Sequence, residues 1–333
     1  MRVFAAALAA AAFGSPDATP REIAFVAVGT GGTNVLVIGA DGRNSRVVAA
    51  QAMNPRWSPD GARLVYTGLH VEANRSVTTV GLFVADHAGG QRAQVTTGED
   101  NAIGWSQDGR SIGFIRYENG RSDLYVVRPD GSGLREVAPA VGAAQWAPDS
   151  RGFLIAPRQG LALVDLAGRI RVLPHTGCGG GGSLSPDGRW LAFGRCLGRP
   201  YHTGIAVERL DGSGLRWLAK PVTDRGGNGS PAWSPDGTKI AYVEERPVSY
   251  LEHTEIRMVS LAGKNLGNLD SYAQDHDEYP QWSPDGRQIV FDRDAALEPI
   301  GESDRLYVGD VKTGRVRKLY EYVARGNQFW RPR

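Results

Sequence analysis

Trp282-Ser283-Pro284-Asp285-Gly286 decides the fold, because the same five-residue signature returns along the chain. Trp57-Ser58-Pro59-Asp60-Gly61 and Trp233-Ser234-Pro235-Asp236-Gly237 are full copies. Trp105-Ser106-Gln107-Asp108-Gly109, Trp146-Ala147-Pro148-Asp149-Ser150 and Leu184-Ser185-Pro186-Asp187-Gly188 are degenerate ones. The motif starts lie 38 to 49 residues apart, and self-similarity at that period is what propellers and solenoids leave in a sequence.

The motif predicts a turn. Pro sets φ near −65° at the first central position, Asp suits the second, and Gly takes the left-handed position that follows, so Ser-Pro-Asp-Gly reads as a type I turn with a glycine bulge. An apolar run ending in Trp precedes it. After it come β-favouring runs such as Arg63-Leu64-Val65-Tyr66 and Gln288-Ile289-Val290-Phe291, then a third run such as Asp123-Leu124-Tyr125-Val126-Val127. A second turn (Asp41-Gly42, Asp130-Gly131, Asp211-Gly212, Thr313-Gly314) leads to a fourth run such as Arg317-Lys318-Leu319. Four short antiparallel strands per repeat make one propeller blade.

Residues 22 to 48 read as strands two to four of a blade that lacks its first strand. The C-terminal Trp330-x-Pro332 is the motif cut off after its Trp, so the end of the chain is expected to supply that strand. Six internal motifs and this composite give an all-β, seven-bladed propeller. Its blades are expected near 52 to 97, 100 to 138, 142 to 173, 180 to 219, 230 to 270 and 279 to 320, with 22 to 48 joined to 327 to 333. A six-bladed ring is the alternative, and requires the first or the thin 142 to 173 repeat not to form a blade.

One propeller domain, residues 22 to 333, absorbs the whole repeat region of this 333-residue chain. Its 44 glycines suit a turn-dense all-β architecture, and a net charge of +2 gives no case for nucleic acid or an anionic membrane surface. Arg2 followed by the alanine-rich run Val3 to Phe13 and a small-residue stretch to Ala18 reads as a signal peptide over residues 1 to 18, too short to span a bilayer. That predicts a periplasmic or secreted protein. The two cysteines, Cys178 and Cys196, flank the Ser185 to Gly188 turn at separations that differ by the one residue a glycine bulge inserts, so export predicts a disulfide between them.

The Trp-Ser-Pro-Asp-Gly repeats, with their Ile-Ala-Phe/Tyr and Leu-Tyr-Val-Val strands and Asp-Gly-Ser-Gly turn, resemble the TolB-type propeller repeat from about residue 22 to the end. The resemblance does not include the separate N-terminal domain of TolB proteins. Similar repeats occur in envelope scaffold proteins, in the propellers of prolyl oligopeptidase-like peptidases and in some polysaccharide lyases. The resemblance therefore implies a fold and an exported binding propeller more firmly than one activity.

Because successive strands alternate direction, the tight turns share one face, and the longer connections, with the aromatics and histidines, share the other. Candidate binding residues on that long-loop face are Tyr201, His202, Arg225, Asn228, Tyr250, His253, His276, Asp277, Glu278 and Tyr279. His202, His253 and His276 fall on consecutive repeats, and with Asp275, Asp277 or Glu278 they have the chemistry to hold a divalent metal. Exposed loops carry such residues by default, however, and no His-x-His or His-Glu-x-x-His spacing supports a metal. No cofactor is expected. A peptidase is not expected either, since no α/β segment is left over to host a nucleophile elbow, and Gly179-Gly180-Gly181-Gly182 precedes a strand rather than a phosphate-binding helix. The recurring tryptophans read as packing between blades.

The expected function is a monomeric, non-enzymatic scaffold that binds a protein, a peptide or an envelope polysaccharide. The alternative is a polysaccharide lyase using Tyr201, His202, Arg225, His253 and His276 at the channel mouth. Unreduced, denatured protein is expected to resist thiol alkylation until a reductant is added; two equivalents of label taken up without reduction would contradict the Cys178 to Cys196 disulfide.

Overall fold

The computed structural model describes residues 21–29, 32–72, 76–157, 160–176, 181–196, 198, 203–221, 228–248, 251–270, 275–295, 304–324, 326 and 328–332. Every named element is a β-strand. In chain order, β1 (Glu22–Gly29), β2 (Gly32–Gly39) and β3 (Arg46–Ala50) are followed by β4 (Ala52–Trp57), β5 (Arg63–Val71), β6 (Val77–Asp86) and β7 (Arg92–Gln94). Next come β8 (Asp100–Trp105), β9 (Ile112–Glu118), β10 (Arg121–Val127) and β11 (Arg135–Ala138), then β12 (Ala143–Trp146), β13 (Gly152–Ala156), β14 (Ala162–Asp165) and β15 (Ile170–Val172). β16 (Gly182–Leu184), β17 (Trp190–Cys196), β18 (Thr203–Arg209) and β19 (Arg216–Ala219) precede β20 (Asn228–Trp233), β21 (Lys239–Val248), β22 (Leu251–Ser260) and β23 (Asn265–Asn268). β24 (Asp275–Trp282), β25 (Gln288–Ala295), β26 (Arg305–Asp310), β27 (Val316–Tyr320) and β28 (Phe329–Trp330) complete the chain.

Consecutive strands pair antiparallel into four-stranded sheets, and a single parallel bridge between Thr254 and His276 joins the β20–β23 run to the β24–β27 run in one larger sheet. The C-terminal strand behaves as the cut-off motif predicts. β28 pairs antiparallel with β1, Ile23 opposite Trp330 and Ala24 opposite Phe329, so both ends of the chain share one sheet.

The repeated turn has the expected geometry and one feature the motif does not announce. Gly61 lies at φ +64°, and its N–H donates to Ser58 O at 2.8 Å. The buried Ser58 hydroxyl accepts the Arg63 N–H at 2.9 Å and donates to Asp60 Oδ1 at 2.5 Å. Asp60 Oδ1 in turn accepts the Ala62 N–H at 3.0 Å. The same serine–aspartate pair recurs at Ser106/Asp108, Ser185/Asp187, Ser234/Asp236 and Ser283/Asp285, each at 2.5 to 2.6 Å. Serine is thus required less for turn propensity than to tie both ends of the hairpin to the aspartate.

The tryptophans fix sheet to sheet. Each indole N–H donates to the backbone carbonyl of the residue just before the motif position of the preceding sheet: Trp57 to Phe329, Trp105 to Arg56, Trp146 to Gly104, Trp233 to Ser183, Trp282 to Ala232 and Trp330 to Gln281, at 2.9 to 3.3 Å. Where Leu184 replaces Trp, the Gln145 side chain reaches over instead and accepts the Leu184 N–H at 3.4 Å. The innermost strands therefore follow one another around an axis. Further out, fourth-strand arginines latch onto the next sheet: Arg171 donates to Leu210 O and Arg216 to Leu261 O, both at 2.6 Å, and Arg46, Arg135 and Arg317 do the same to His87, Leu166 and Ala40. Arg317 to Ala40 crosses the join between the two ends of the chain.

The apolar core consists of the layers between sheets. Each buried cluster takes side chains from two successive sheets, as with Val65 and Leu82 against Trp105 and Phe114, or Ala241 and Ile256 against Trp282 and Phe291. Val290, Leu306 and Val308 of the last internal repeat pack on Ile23, Phe25 and Ile38 of the first sheet, so the layers form a circuit. Cys196 is disulfide-bonded, and Cys178 lies outside the described residues.

Two outcomes are expected from these contacts. Trp233→Phe removes the indole donor to Ser183 O, a loss of about 0.5–1.5 kcal/mol in denaturant unfolding; Trp190→Phe, whose indole makes no such link, is expected to lose less. For Asp236, burial opposes ionisation but the Ser234 hydroxyl and the Thr238 N–H and hydroxyl outweigh it, bringing the pKa from 3.8 to about 2. A lowered folded pKa contributes stability above pH 3.8 that is lost as pH falls toward 2. The stability difference between the parent and Asp236→Asn should therefore shrink across that interval.

Candidate functional site

Of the residues expected on the long-loop face, Tyr201, His202, Arg225 and Tyr250 lie outside the described residues. The others sit in strands rather than in loops: Asn228 opens β20, His253 lies in β22, and His276, Asp277, Glu278 and Tyr279 lie in β24. The strands begin earlier than the repeat motif alone indicates, because polar residues at their starts are clasped onto the sheet.

Asp277 is the clearest instance. It is 0% exposed, and Arg293 of β25 grips it in bidentate fashion, Nε to Oδ1 at 2.6 Å and Nη2 to Oδ2 at 2.9 Å, while Nη2 also donates to Asp270 O at 2.7 Å. Its guanidinium stacks over Phe291 and Tyr307. The same clasp recurs in another sheet: Arg116 holds Asp100 at 2.7 and 2.9 Å, donates to Thr97 O at 3.1 Å and stacks over Phe114 and Tyr125. In both cases the aspartate stands five residues before the motif Trp and the arginine eleven after it. The hydrogen bonds that Arg116 donates to Asp100 raise the arginine's pKa. A bidentate pair of this kind fixes the connection leading into the inner strand. It holds backbone and leaves the carboxylate no room for a ligand.

Asn228 occupies the same position in its repeat and is also buried. Its N–H donates to Thr203 Oγ1, whose hydroxyl donates back to Asn228 O, both at 3.1 Å, and Nδ2 donates to Lys220 O at 3.4 Å. Asn228 and Asp277, expected on the long-loop face, are thus buried and fasten the inner strands. His253 is 6% exposed. Among the described residues, no three His, Cys, Asp or Glu side chains are placed to hold a metal ion.

Tyr279 is presented. Its side chain is 40% exposed, and its backbone lies at φ +54° just before Pro280. Asn54 before Pro55 and Ser230 before Pro231 adopt the same conformation, at φ +53° and +50°, three residues ahead of their tryptophans. Each coincides with a register shift between the first two strands of its sheet. Such a bulge re-aims a side chain, and the strain of a left-handed non-glycine residue persists because its surroundings hold it. Gln328 Nε2 donates to Tyr279 O at 3.0 Å, and Gly326 lies so close that a Cβ there would meet the ring at 3.2 Å. Asp292 accepts the Gly326 N–H at 2.6 Å. The C-terminal segment thus buttresses the tyrosine.

Sequence reasoning missed two features. Gly109-Arg110-Ser111-Ile112-Gly113 matches the Gly-x-Ser-x-Gly string of hydrolases, but Ser111 closes a repeat turn, its N–H donating to Ser106 Oγ at 3.0 Å, and a strand follows rather than a helix. Arg56, on the inner strand β4, carries none of the usual marks of a site residue in the sequence.

No family model matches the chain. Dipeptidyl-peptidase 5 of Porphyromonas gingivalis is 27% identical over 288 residues, 80% of this chain but 41% of that one, so the chain spans about two fifths of that relative. Among solved structures, TolB from Acinetobacter baumannii superposes with a TM-score of 0.54 at 18% identity, covering 94% of this chain and 67% of that one. The fold is that of a TolB-like β-propeller. An oligogalacturonate lyase in complex with manganese superposes as well, with a TM-score of 0.61, 18% identity and coverage of 91% and 85%. The TolB-like frame thus accommodates more than one chemistry, and the fold alone assigns none.

Asp277→Ala is expected to cost about 3–5 kcal/mol by removing the bidentate carboxylate that grips the buried Arg293. Tyr279→Ala, at a half-exposed position, is expected to cost less, about 1 kcal/mol. Equal losses in equilibrium unfolding would contradict the division between fastening and presented residues.

Proposed function

We propose that the chain is an exported, monomeric, seven-bladed TolB-like propeller that binds a protein or peptide of the cell envelope without transforming it. The clusters packed sheet on sheet in a closed circuit support the seven-bladed ring, and the Val3 to Phe13 run supports export from a signal peptide over residues 1 to 18. One observation carries the binding reading. The charged groups at the start of the inner strands are spent holding backbone, whereas the Tyr279 ring is held out on a strained, buttressed bulge. A rigid aromatic offers large contact area with little entropy left to lose, which suits recognition of a protein surface or peptide. His276 and Glu278 precede it on the same strand and are partly buried.

A second reading has support in the likeness to an oligogalacturonate lyase: Tyr201, His202, Arg225, His253 and His276 would act on an acidic polysaccharide at the channel mouth. The two readings separate in one pair of experiments. Immobilised protein is exposed to envelope extract in parallel with a His276→Ala, Tyr279→Ala double variant, and both are incubated with polygalacturonate while unsaturated products are followed by their ultraviolet absorbance. A defined protein retained by the parent and lost from the variant is expected, with no unsaturated product. Product formation that disappears in the variant would replace the binding reading with the lyase.

A further inference from the structure

The inner strands β4, β8, β12, β16, β20, β24 and β28 carry a single Arg or Lys among them, Arg56. Its side chain lies across both neighbouring inner strands. On one side its guanidinium carbon is 3.7 Å from the centroid of the Phe329 ring. On the other side stands Gly104, where a Cβ would come within 3.2 Å of Arg56 Cγ. A larger residue at 104 would crowd the arginine. One Nη1–H donates to Pro55 O at 2.9 Å, and among the described residues no carboxylate pairs with Arg56. The contrast with Arg116 and Arg293, each saturated by an aspartate, is internal to the molecule.

Arg56 is partly exposed, yet the protein around it is deep enough for burial to lower its pKa to about 9. A desolvated cation without a counter-charge is costly to keep, and a bound anion offsets that cost. Apart from Phe329, whose ring lies against Arg56, the other repeats place short or neutral polar residues at the same position before the Trp: Gly104, Ser183, Ala232 and the exposed Gln145 and Gln281, the Gln145 carbonyl already accepting the Leu184 N–H. The inner-strand aspartates Asp100 and Asp277 stand four residues further up, roughly 13 Å along a strand, and are already gripped by arginines.

We infer that Arg56 binds a carboxylate on the axis of the propeller, and that this group is the C-terminal carboxylate of a peptide. The inner strands surround the axis, so a ligand reaches Arg56 end-on and presents a chain terminus. The side-chain amides at that level match the hydrogen-bonding groups of a peptide backbone. The motif tryptophans, which would serve as platforms for a sugar ring, are turned between sheets and bonded there. This assignment rests on the peptide-binding reading above and specifies the group recognised.

The test is a titration of the full chain with N-acetyl-trialanine, as the free acid and as the C-terminal amide, at fixed ionic strength. The Arg56 Nε–H and the indole N–H of Trp57 and Trp105 are followed by NMR. The free acid should give a saturable shift, the amide should bind about tenfold or more weakly, and Arg56→Gln should abolish the difference while Arg56→Lys retains part of it. Equal binding of acid and amide overturns the proposal, as does unchanged acid binding in Arg56→Gln or preferential binding of galacturonate. If Arg56→Gln does not fold, the acid–amide comparison on the parent decides alone. Capture of an envelope protein that needs Tyr279 but tolerates Arg56→Gln would overturn the carboxylate site and leave the binding reading standing.

Discussion

The hydrogen bond from a motif indole to the carbonyl before the previous motif position is the constraint on which this molecule depends. It ties neighbouring inner strands at a single height, so each sheet is placed by the one before it. The apolar layers between sheets then form at a fixed spacing, and the fourth-strand arginines close the same joints from outside. The link from Trp57 to Phe329 joins the internal repeats to the C-terminal strand, and Trp330 joins that strand to Gln281. The interaction that joins the other sheets thus also spans the meeting of the two chain ends, alongside the pairing of β28 with β1.

Repetition also gives the molecule its own reference states. A residue that differs from its counterparts stands out against several copies of the same environment. Glu208 is buried at a strand position where the other sheets carry Ile38, Ala85, Val127, Val164, Val259 or Gly309; its Oε2 meets His175 Nδ1 of the preceding connection at 2.9 Å, while Oε1 has no hydrogen-bond partner among the described residues. Asp277 departs from Ala52 and Val141 but repeats Asp100, and the arginine that accompanies each explains both. Arg56 departs from Gly104, Gln145, Ser183, Ala232, Gln281 and Phe329, and among the described residues no acid pairs with it. The Asp277 departure is matched by an arginine inside the protein, and the Arg56 departure is not matched by an acid.

The Ser-Pro-Asp-Gly turns were legible residue by residue because their geometry is local: Pro, Asp and Gly each prefer the backbone conformation they occupy. The strand limits were legible to within a few residues for the same reason, apart from the starts of β20 and β24. There Asn228 and Asp277 looked like exposed loop polars. Their burial depends on Thr203 and Arg293, which lie 25 and 16 residues away and are brought alongside only when the sheet forms. Tyr279 was picked out for its chemistry and turned out to be presented by a bulge that the following proline marks in three repeats.

The sequence alone determined the repeat, its turns, the use of both chain ends in one sheet, and the packing role of the tryptophans, since all of these follow from period and local conformational preference. The tertiary structure decided which polar residues are spent and which are available. Arg56 and Arg293 are both arginines in strands, Arg56 between Pro55 and Trp57 and Arg293 between Asp292 and Asp294. The difference is whether an aspartate on a neighbouring strand faces the guanidinium, and that proximity exists only after strands distant in sequence are laid side by side.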